Sequence, residues 1–518
     1  MVERLKLEAA DPWDDLATQA PSHFEALHTG KPAFPPTPLY RNEGLTPDAI
    51  LERWVQQLKP YETKYPKTIA YDLSRVSKFG PRGGYPPWSV MKQVLPLYAS
   101  RLQKIDFSCK LVRQAILETQ KFLKLDKQLN RRPLALDDAI SRILSDMEAS
   151  FKQSGVSSYG NKRDPEVIRR AKVLAQDREK ALQLPFTLAE RTQRINRDKV
   201  GGGARFIFMI AYALEMEQKK FFYPLFDYIR SLKLPEYAAW EGFEDVERFP
   251  LEKRDADDVF VSCDFTGMDQ TCGPDQTELF FEITKNFFQR KFWDEYHAVL
   301  MAGVKNPVMV ELNRAWNPGP HGTTSGESFT NLKETVDNTC GHILAMILQQ
   351  KRHQHQDDGD DSCAVGDENL VEHLSKAFAM LGFELNPDKQ DVSQTDYHYL
   401  QRFFCPDELG ADGAYPTILA LNACVYPERF HNPSKWGPRM ETLRWIMILE
   451  NCKHHPAFHD LIEFVRAGDK YGLNLGPNPE ELYSQAKSLS GFVPSYNQAS
   501  KDRKLMDFEV MKYLASHR

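Results

Sequence analysis

Apolar positions along the chain fall into distinct textures. The first sixty residues carry Pro32, Pro35, Pro36 and Pro38 without sustained periodicity, the pattern of an extended arm lying across other parts of a fold. From about Ser89 to Gln193 helical periods dominate. Gly201-Gly202-Gly203 breaks that pattern, and Ala204 to Ile210 reads as a strand running into a helix near Leu214. From Asp258 the texture is mixed α and β, and beyond Tyr426 it is helical again. No internal repeat is present. Helix-rich, then mixed, then helical segments predict an α+β chain of about three units with the mixed one central.

The mixed region concentrates the chemistry. Val259 to Cys263 is a β-branched, apolar run that ends at Asp264, and Asp269 follows five positions on. Gly273-Pro274-Asp275 opens a helix, with Leu279, Ile283 and Phe287 as its buried stripe. Further along, Asp357-Asp358-Gly359-Asp360-Asp361 packs four acids around a glycine suited to a hairpin turn. Such a cluster is tolerable when divalent cations neutralise it, and hard oxygen ligands select Mg²⁺, with Mn²⁺ as a substitute. If Asp264 lies beside that turn, carboxylates from both can bridge two metals about 4 Å apart, the arrangement of phosphoryl displacement.

Between the acidic sites, the Gly- and Ser-rich stretch 321–330 enters a helix. Leu332, Val336 and Cys340 form its apolar stripe, while Thr330, Glu334 and Asn338 share another face, read from the helix alone as solvent-exposed.

Composition narrows the classes. With 42% hydrophobic and 27% charged residues the chain is a folded one, outside the disordered class. No run approaches the ~18 apolar residues of a membrane span, and the N-terminus lacks a secretory stretch, so neither a membrane nor export is expected. Eight scattered cysteines without a Cys-x-x-Cys pair suit free thiols. Cys452, His454, His455 and His459 are read as ordinary polarity, not as a metal site. The net charge is −6, yet residues 161–205 hold 12 basic and 6 acidic side chains, so a polyanion is expected along an internal path.

Taken in order, Asp264-x4-Asp269, Ser325-Gly326-x3-Thr330 and Gly359-Asp360-Asp361 resemble motifs A, B and C of the viral RNA-dependent RNA polymerases. Leu381 to Lys389 is similar to motif D with its lysine, and Tyr399-Leu400-Gln401-Arg402-Phe403 to motif E, the primer grip. Arg191 to Lys199, with Arg205, resembles the basic motif F; for motif G, Ser154 to Ser158 and Gly83 to Pro86 both stand as candidates. The Ser-Gly-Glu-Ser-Phe-Thr-Asn and Gly-Asp-Asp-Ser signatures are most similar to the double-stranded RNA virus enzymes of the picobirnavirus and partitivirus type.

The resemblance implies a right hand: an N-terminal arm over 1–60 bridging fingers and thumb, fingers over 61–250, a palm with an antiparallel sheet over 251–405, and a thumb over 406–518. It implies RNA-templated RNA synthesis, replicating and transcribing a viral genome. Asp264, Asp360 and Asp361 would hold the metals, and Lys389 would act as general acid. Arg194, Lys199 and Arg205 would meet the triphosphate, and Arg402 would steady the growing strand. Asp269, Ser325, Gly326, Thr330, Glu334 and Asn338 would form the nucleotide site. Template RNA, nascent RNA, ribonucleoside triphosphates and a viral capsid protein are the expected partners of a monomer working in the virion interior and host cytoplasm. Reverse transcriptase and a non-catalytic RNA-binding subunit are the competing readings.

The chain departs from the family pattern twice. Glu334 stands where the family often has Asn, so Thr330 and Asn338 are expected to orient Asp269 toward the ribose, with Glu334 protonated or turned to a basic group. The run Lys351 to Gln356 is far more polar than the strand usual before Gly359, which weakens the hairpin expectation.

Overall fold

The computed structural model describes residues 7–9, 20–145, 153–156, 158–190, 205–385, 390–429, 431, 434, 436–487 and 504–517. Its strands in chain order are β1 (Leu7–Ala9), β2 (Phe186–Glu190), β3 (Phe206–Met209), β4 (Val259–Cys263), β5 (Val308–Glu311), β6 (Arg314–Trp316), β7 (Gln354–Asp358), β8 (Asp361–Gly366), β9 (Asp391–Ser393), β10 (Tyr397–Tyr399), β11 (Arg402–Phe404) and β12 (Gly413–Ala414). The central sheet runs β7-β8-β4-β9 with every pairing antiparallel. A second sheet, β1-β6-β5-β2-β3, gathers strands from the first three hundred or so positions, and β10-β11-β12 forms a third.

β4 is buried along its whole length because both of its faces are covered, and Ser262 is its one polar residue. Val259, Val261 and Cys263 pack into a core shared with the Pro274–Thr284, Thr330–Gln349 and Leu370–Met380 helices. Phe260 faces the other way, against Tyr397, Tyr399 and Phe404. A second core joins β2, β3, β5 and β6 to the Pro165–Gln176 and Tyr212–Ser231 helices. A third binds Ile50, Trp54 and Ile69 to C-terminal helices such as Pro438–Leu449 and Phe458–Gly468.

Two sequence expectations need correcting. The N-terminal stretch is not simply extended, for it holds helices at Ala20–Thr29 and Pro47–Leu58. The second of these has its start signal in the sequence: Thr46 Oγ1 accepts from Ala49 N at 3.2 Å, Pro47 opens the first turn, and Ile50, Trp54 and Leu58 form one buried stripe. Also, β2 interrupts the stretch read as helical, where five residues are too few to show a strand period. The strand expected near Ala204 to Ile210 and the helix after it are present as β3 and Tyr212–Ser231. No described helix is long and apolar enough to cross a membrane, and all eight cysteines are free.

Candidate active site

The hairpin expectation holds in spite of its polar first strand. β7 pairs with β8 from Gln354↔Val365 to Asp358↔Asp361, and Gly359 takes φ +64° at the turn, a conformation that favours glycine. β4 pairs with β8 as far as Cys263↔Ser362, so the next step along each strand sets Asp264 beside Asp361. The two acidic motifs therefore meet at one end of the central sheet.

The Thr330–Gln349 helix pins this turn from behind. Asn331 Nδ2 donates to Asp358 Oδ1 at 2.8 Å, Thr335 Oγ1 accepts from Gly359 N at 2.8 Å, and Asn338 Nδ2 donates to Gly359 O at 2.6 Å. Residues at i, i+4 and i+7 lie on one helical face, so three side chains fix one turn.

Below the turn, polar residues of β7 are buried in a closed network. Asp357 accepts from Ser362 Oγ at 2.8 Å and Thr339 Oγ1 at 3.0 Å, pairs with His355 Nδ1 at 2.9 Å, and lies 3.3 Å from His342 Nε2. The His342 and His355 rings stack at 4.2 Å. Burial works against an ionised Asp357, but His355 and His342 outweigh it and hold the carboxyl well below its usual range. Each imidazole serves its own carboxylate oxygen from a parallel plane, which suits a doubly hydrogen-bonded carboxylate better than a metal ion gripped by three ligands.

Asp360 and Asp361 are exposed. Even so, the Asp361 carboxyl is pushed up to about 7, first by desolvation and then by the charges of Asp360, Asp358 and Asp264, with Arg205 opposing. A crowd of hard oxygen donors that raise one another is what a divalent cation relieves.

Asp269 lies beyond a left-handed Gly267, in the short Met268–Thr271 helix. Its carboxyl is raised by burial and by Asp360, and a hydrogen bond with Glu334 opposes that rise. Glu334 is raised further, by burial and then by the charges of Asp269 and Asp360. Glu334 therefore keeps the proton and donates it to Asp269, as expected if it stays protonated and does not turn to a basic group.

The expected helpers are engaged elsewhere: Thr330 Oγ1 donates to Thr324 O at 3.1 Å, and Asn338 serves Gly359. The face read as solvent-exposed is largely buried, with Glu334 at 5% and Asn338 at 0% exposure. Lys333, also buried, pairs with Glu327 at 2.7 Å and ties the loop to the helix.

Ser325 and Gly326 seat that loop on β3. Ser325 Oγ accepts from Phe208 N at 3.3 Å, and a Cβ on Gly326 would come within 1.9 Å of Phe208 O, so only glycine fits.

The basic residues fare unevenly. Arg205 is exposed, and its charge acts on both Asp269 and Asp361. Arg194, Lys199 and Lys389 lie outside the described residues. Much of the remaining positive charge of 161–190 is spent locally, with Arg169 and Arg170 on Glu166, Arg178 on Glu295, and Lys162 on Glu215.

Arg402 does not face an RNA strand. It is 3% exposed, donates to Gly413 O and Asn451 O at 3.0 Å each, and lies 4.0 Å over the Phe243 ring, so its charge fastens β11 to the C-terminal helices. The residues read as ordinary polarity near Cys452 disperse: His454 pairs with Glu247 and Asp412, His455 with Asp72, and His459 stacks on Tyr513.

No family model matches the chain. A curated relative, a potential RNA-dependent RNA polymerase of human picobirnavirus (strain Human/Thailand/Hy005102/-), is 25% identical over 476 residues, covering 88% of this chain and 86% of the relative. The crystal structure of the RNA-dependent RNA polymerase of a human picobirnavirus superposes with a TM-score of 0.81 at 21% identity, over 99% of this chain and all of that one. The chain has the fold of a viral RNA-dependent RNA polymerase. An insertion-loop deletion mutant of that polymerase matches at TM-score 0.78 and 21% identity, over 96% of both chains. The resemblance to the double-stranded RNA virus polymerases read from the motifs, and the α+β right-hand fold it implied, are both borne out.

Proposed function

We propose that the chain is an RNA-directed RNA polymerase that joins ribonucleotides on an RNA template by two-metal nucleotidyl transfer. The observation that carries this reading is the meeting of Asp264 with Asp360 and Asp361 at one end of an antiparallel sheet, where the acids raise the Asp361 carboxyl by their mutual charge. Asp264, Asp360 and Asp361 would hold the divalent ions, Mg²⁺ or Mn²⁺, which supply charge neutralisation at the transferred phosphate and ease ionisation of the 3′-hydroxyl.

The chain's own groups do the rest. Arg205, with Arg194 and Lys199, pairs with the triphosphate, where guanidinium forks fit phosphate oxygens. Lys389 gives a proton to the leaving pyrophosphate. Asp269, ionised because Glu334 holds the shared proton, accepts a hydrogen bond from the ribose 2′-hydroxyl. Ser325 and Gly326 carry the loop beneath the incoming nucleotide.

Synthesis of a viral genome and its transcripts, work as a monomer beside a capsid protein, and action in the virion interior and host cytoplasm belong to the same reading. So does the division into arm, fingers, palm and thumb. Incubating the protein with Mg²⁺, an RNA template and labelled nucleotides tests it: template-directed incorporation of ribonucleotides is expected. Equal use of deoxyribonucleotides would favour reverse transcription, and no incorporation would favour a binding subunit.

A further inference from the structure

The Pro66–Leu73 helix, which lies between β1 and β2 in the chain, is fastened at both ends to distant parts of it. At its start, Lys67 N and Thr68 N each donate to Glu408 at 2.9 Å, and Thr68 Oγ1 donates to it at 2.7 Å. At its end, Asp72 is buried and accepts from Thr417 N and Ile418 N at 3.0 Å each, and His455 Nε2 lies 3.3 Å away. Two turns of helix so tied present their remaining side chains in fixed places.

Those side chains meet the outer face of the β10–β11 hairpin. Tyr71 stacks on Phe403 at 4.7 Å and lies 6.0 Å from the His398 ring. Arg75, just past the helix, sets its guanidinium 4.1 Å over the same tyrosine ring. Its Nε is buried without a hydrogen-bond partner, while the guanidinium also bonds the Tyr71 hydroxyl and its charge helps to lower the Asp391 carboxyl.

This cluster leads to the acids. His398 N donates to Ser262 Oγ at 2.9 Å, His398 Nδ1 pairs with Asp391 at 3.1 Å, and Asp391 lies opposite Ser262 in the β4–β9 pairing. Ser262 and Asp264 are two apart, so strand alternation puts them on the same side of the sheet. The Tyr71 hydroxyl, raised mainly by burial, also feels the charges of Asp391 and Asp361.

A guanidinium held over a ring, with donors beyond those its neighbours take, is shaped to receive a phosphate in its plane. Arg205 already acts on Asp269 and Asp361. We infer that Arg75, held on Tyr71, binds a phosphate of the nucleotide that carries the reacting 3′-hydroxyl. That phosphate belongs either to the end of a nascent RNA strand or to a lone initiating nucleotide. The inference rests on the polymerase reading and adds to it a phosphate contact on the hairpin side of Asp264. Arg402, the residue first expected to hold that strand, is turned inward.

The test uses the full chain with Arg75→Ala, Arg75→Lys and Arg75→Glu, each checked for an unchanged melting temperature. Primer extension and unprimed initiation are run side by side, and affinity for a labelled primer–template is read by fluorescence anisotropy in the same samples. In Arg75→Ala, the KM for primer–template, or for the first nucleotide in the unprimed arm, should rise about tenfold while the KM for the incoming nucleotide stays within about twofold. Arg75→Glu should lose more and Arg75→Lys less, and the log–log salt slope of RNA binding should flatten by about 0.7. A change confined to the primed arm identifies the nascent strand, and one confined to the unprimed arm the initiating nucleotide. Wild-type affinity and KM values in Arg75→Glu would overturn the inference, as would an equal rise in the KM for the incoming nucleotide. A wild-type protein that binds RNA but incorporates nothing would count against the polymerase reading, while the anisotropy series would still decide whether Arg75 holds a phosphate.

Discussion

The two hairpins that meet β4, β7–β8 by pairing and β10–β11 by packing, are built from opposite materials. β7–β8 is held by hydrogen bonds and charge: Asp357 gathers His342, His355, Ser362 and Thr339, and Asn331, Thr335 and Asn338 grip the turn. β10–β11 is held by rings, with Tyr397 stacked on Phe404 at 4.8 Å and on Phe260 at 5.1 Å, and Phe403 on Tyr71. Stacked rings tolerate small slides because dispersion is weakly directional. Hydrogen bonds from a buried carboxylate do not. The hairpin that must hold Asp360 and Asp361 in register beside Asp264 is the directional one.

Breaking that difference should be costly on the polar side. Asp357→Ala leaves His342 and His355 buried without their acceptor, and removing one partner of a buried charged set costs about 3 to 5 kcal/mol. Urea unfolding should show that loss. A value under about 1 kcal/mol would mean that the network is incidental. On the aromatic side, Arg402→Ala strips the donors from Gly413 O and Asn451 O, and a loss of about 2 to 3 kcal/mol is expected from two buried acceptors. Affinity for RNA should scarcely change in a folded sample, whereas a steep drop would return Arg402 to the strand-holding role.

The polar side is also where the sugar should be read. Asp269→Ala should lower the preference for ribonucleotides over 2′-deoxy analogues by about tenfold to a hundredfold, the worth of one charge-assisted hydrogen bond. Glu334→Asn, which still offers a donor to Asp269, should keep it. The ratio of incorporation efficiencies decides both, and an unchanged ratio in Asp269→Ala would remove Asp269 from ribose recognition.

Protonation offers a gentler probe of the same acids. Asp361, raised to about 7, binds a proton in the folded state that the unfolded chain gives up near pH 4. Its contribution to stability is therefore complete in acid and is lost as pH rises toward 7. Mg²⁺ affinity should climb about tenfold per unit below pH 7 and level off above it, measured by calorimetry. A flat profile would place Asp361 outside the metal site.

Much of this was legible in the sequence because the chemistry is local. The apolar run into Asp264, the glycine turn at Gly359 and the spacing of Ser325, Gly326 and Thr330 each announce a backbone geometry. What was hidden depends on distant partners. The polarity of Gln354 to Asp358 looked wrong for a buried strand because its partners, His342 and Thr339, are supplied by a helix a dozen or more residues earlier. The turn-gripping residues Asn331, Thr335 and Asn338 have helical spacing, but so does the neighbouring Thr330, Glu334, Asn338 column, and spacing alone does not tell which one meets the turn. Arg402 carries no local sign of burial, and the pairing of Tyr71 with Phe403 spans more than three hundred residues.

The central claim is that the acids at the β7–β8 turn, together with Asp264, do metal-dependent chemistry. The most direct test is Mg²⁺-dependent ribonucleotide incorporation on an RNA template by wild type and by Asp360→Ala, with folding matched by circular dichroism. Removing a ligand that stabilises the charge of the transition state should cost at least about 10³-fold with RNA affinity retained; incorporation by the folded variant at near wild-type rates would contradict the account.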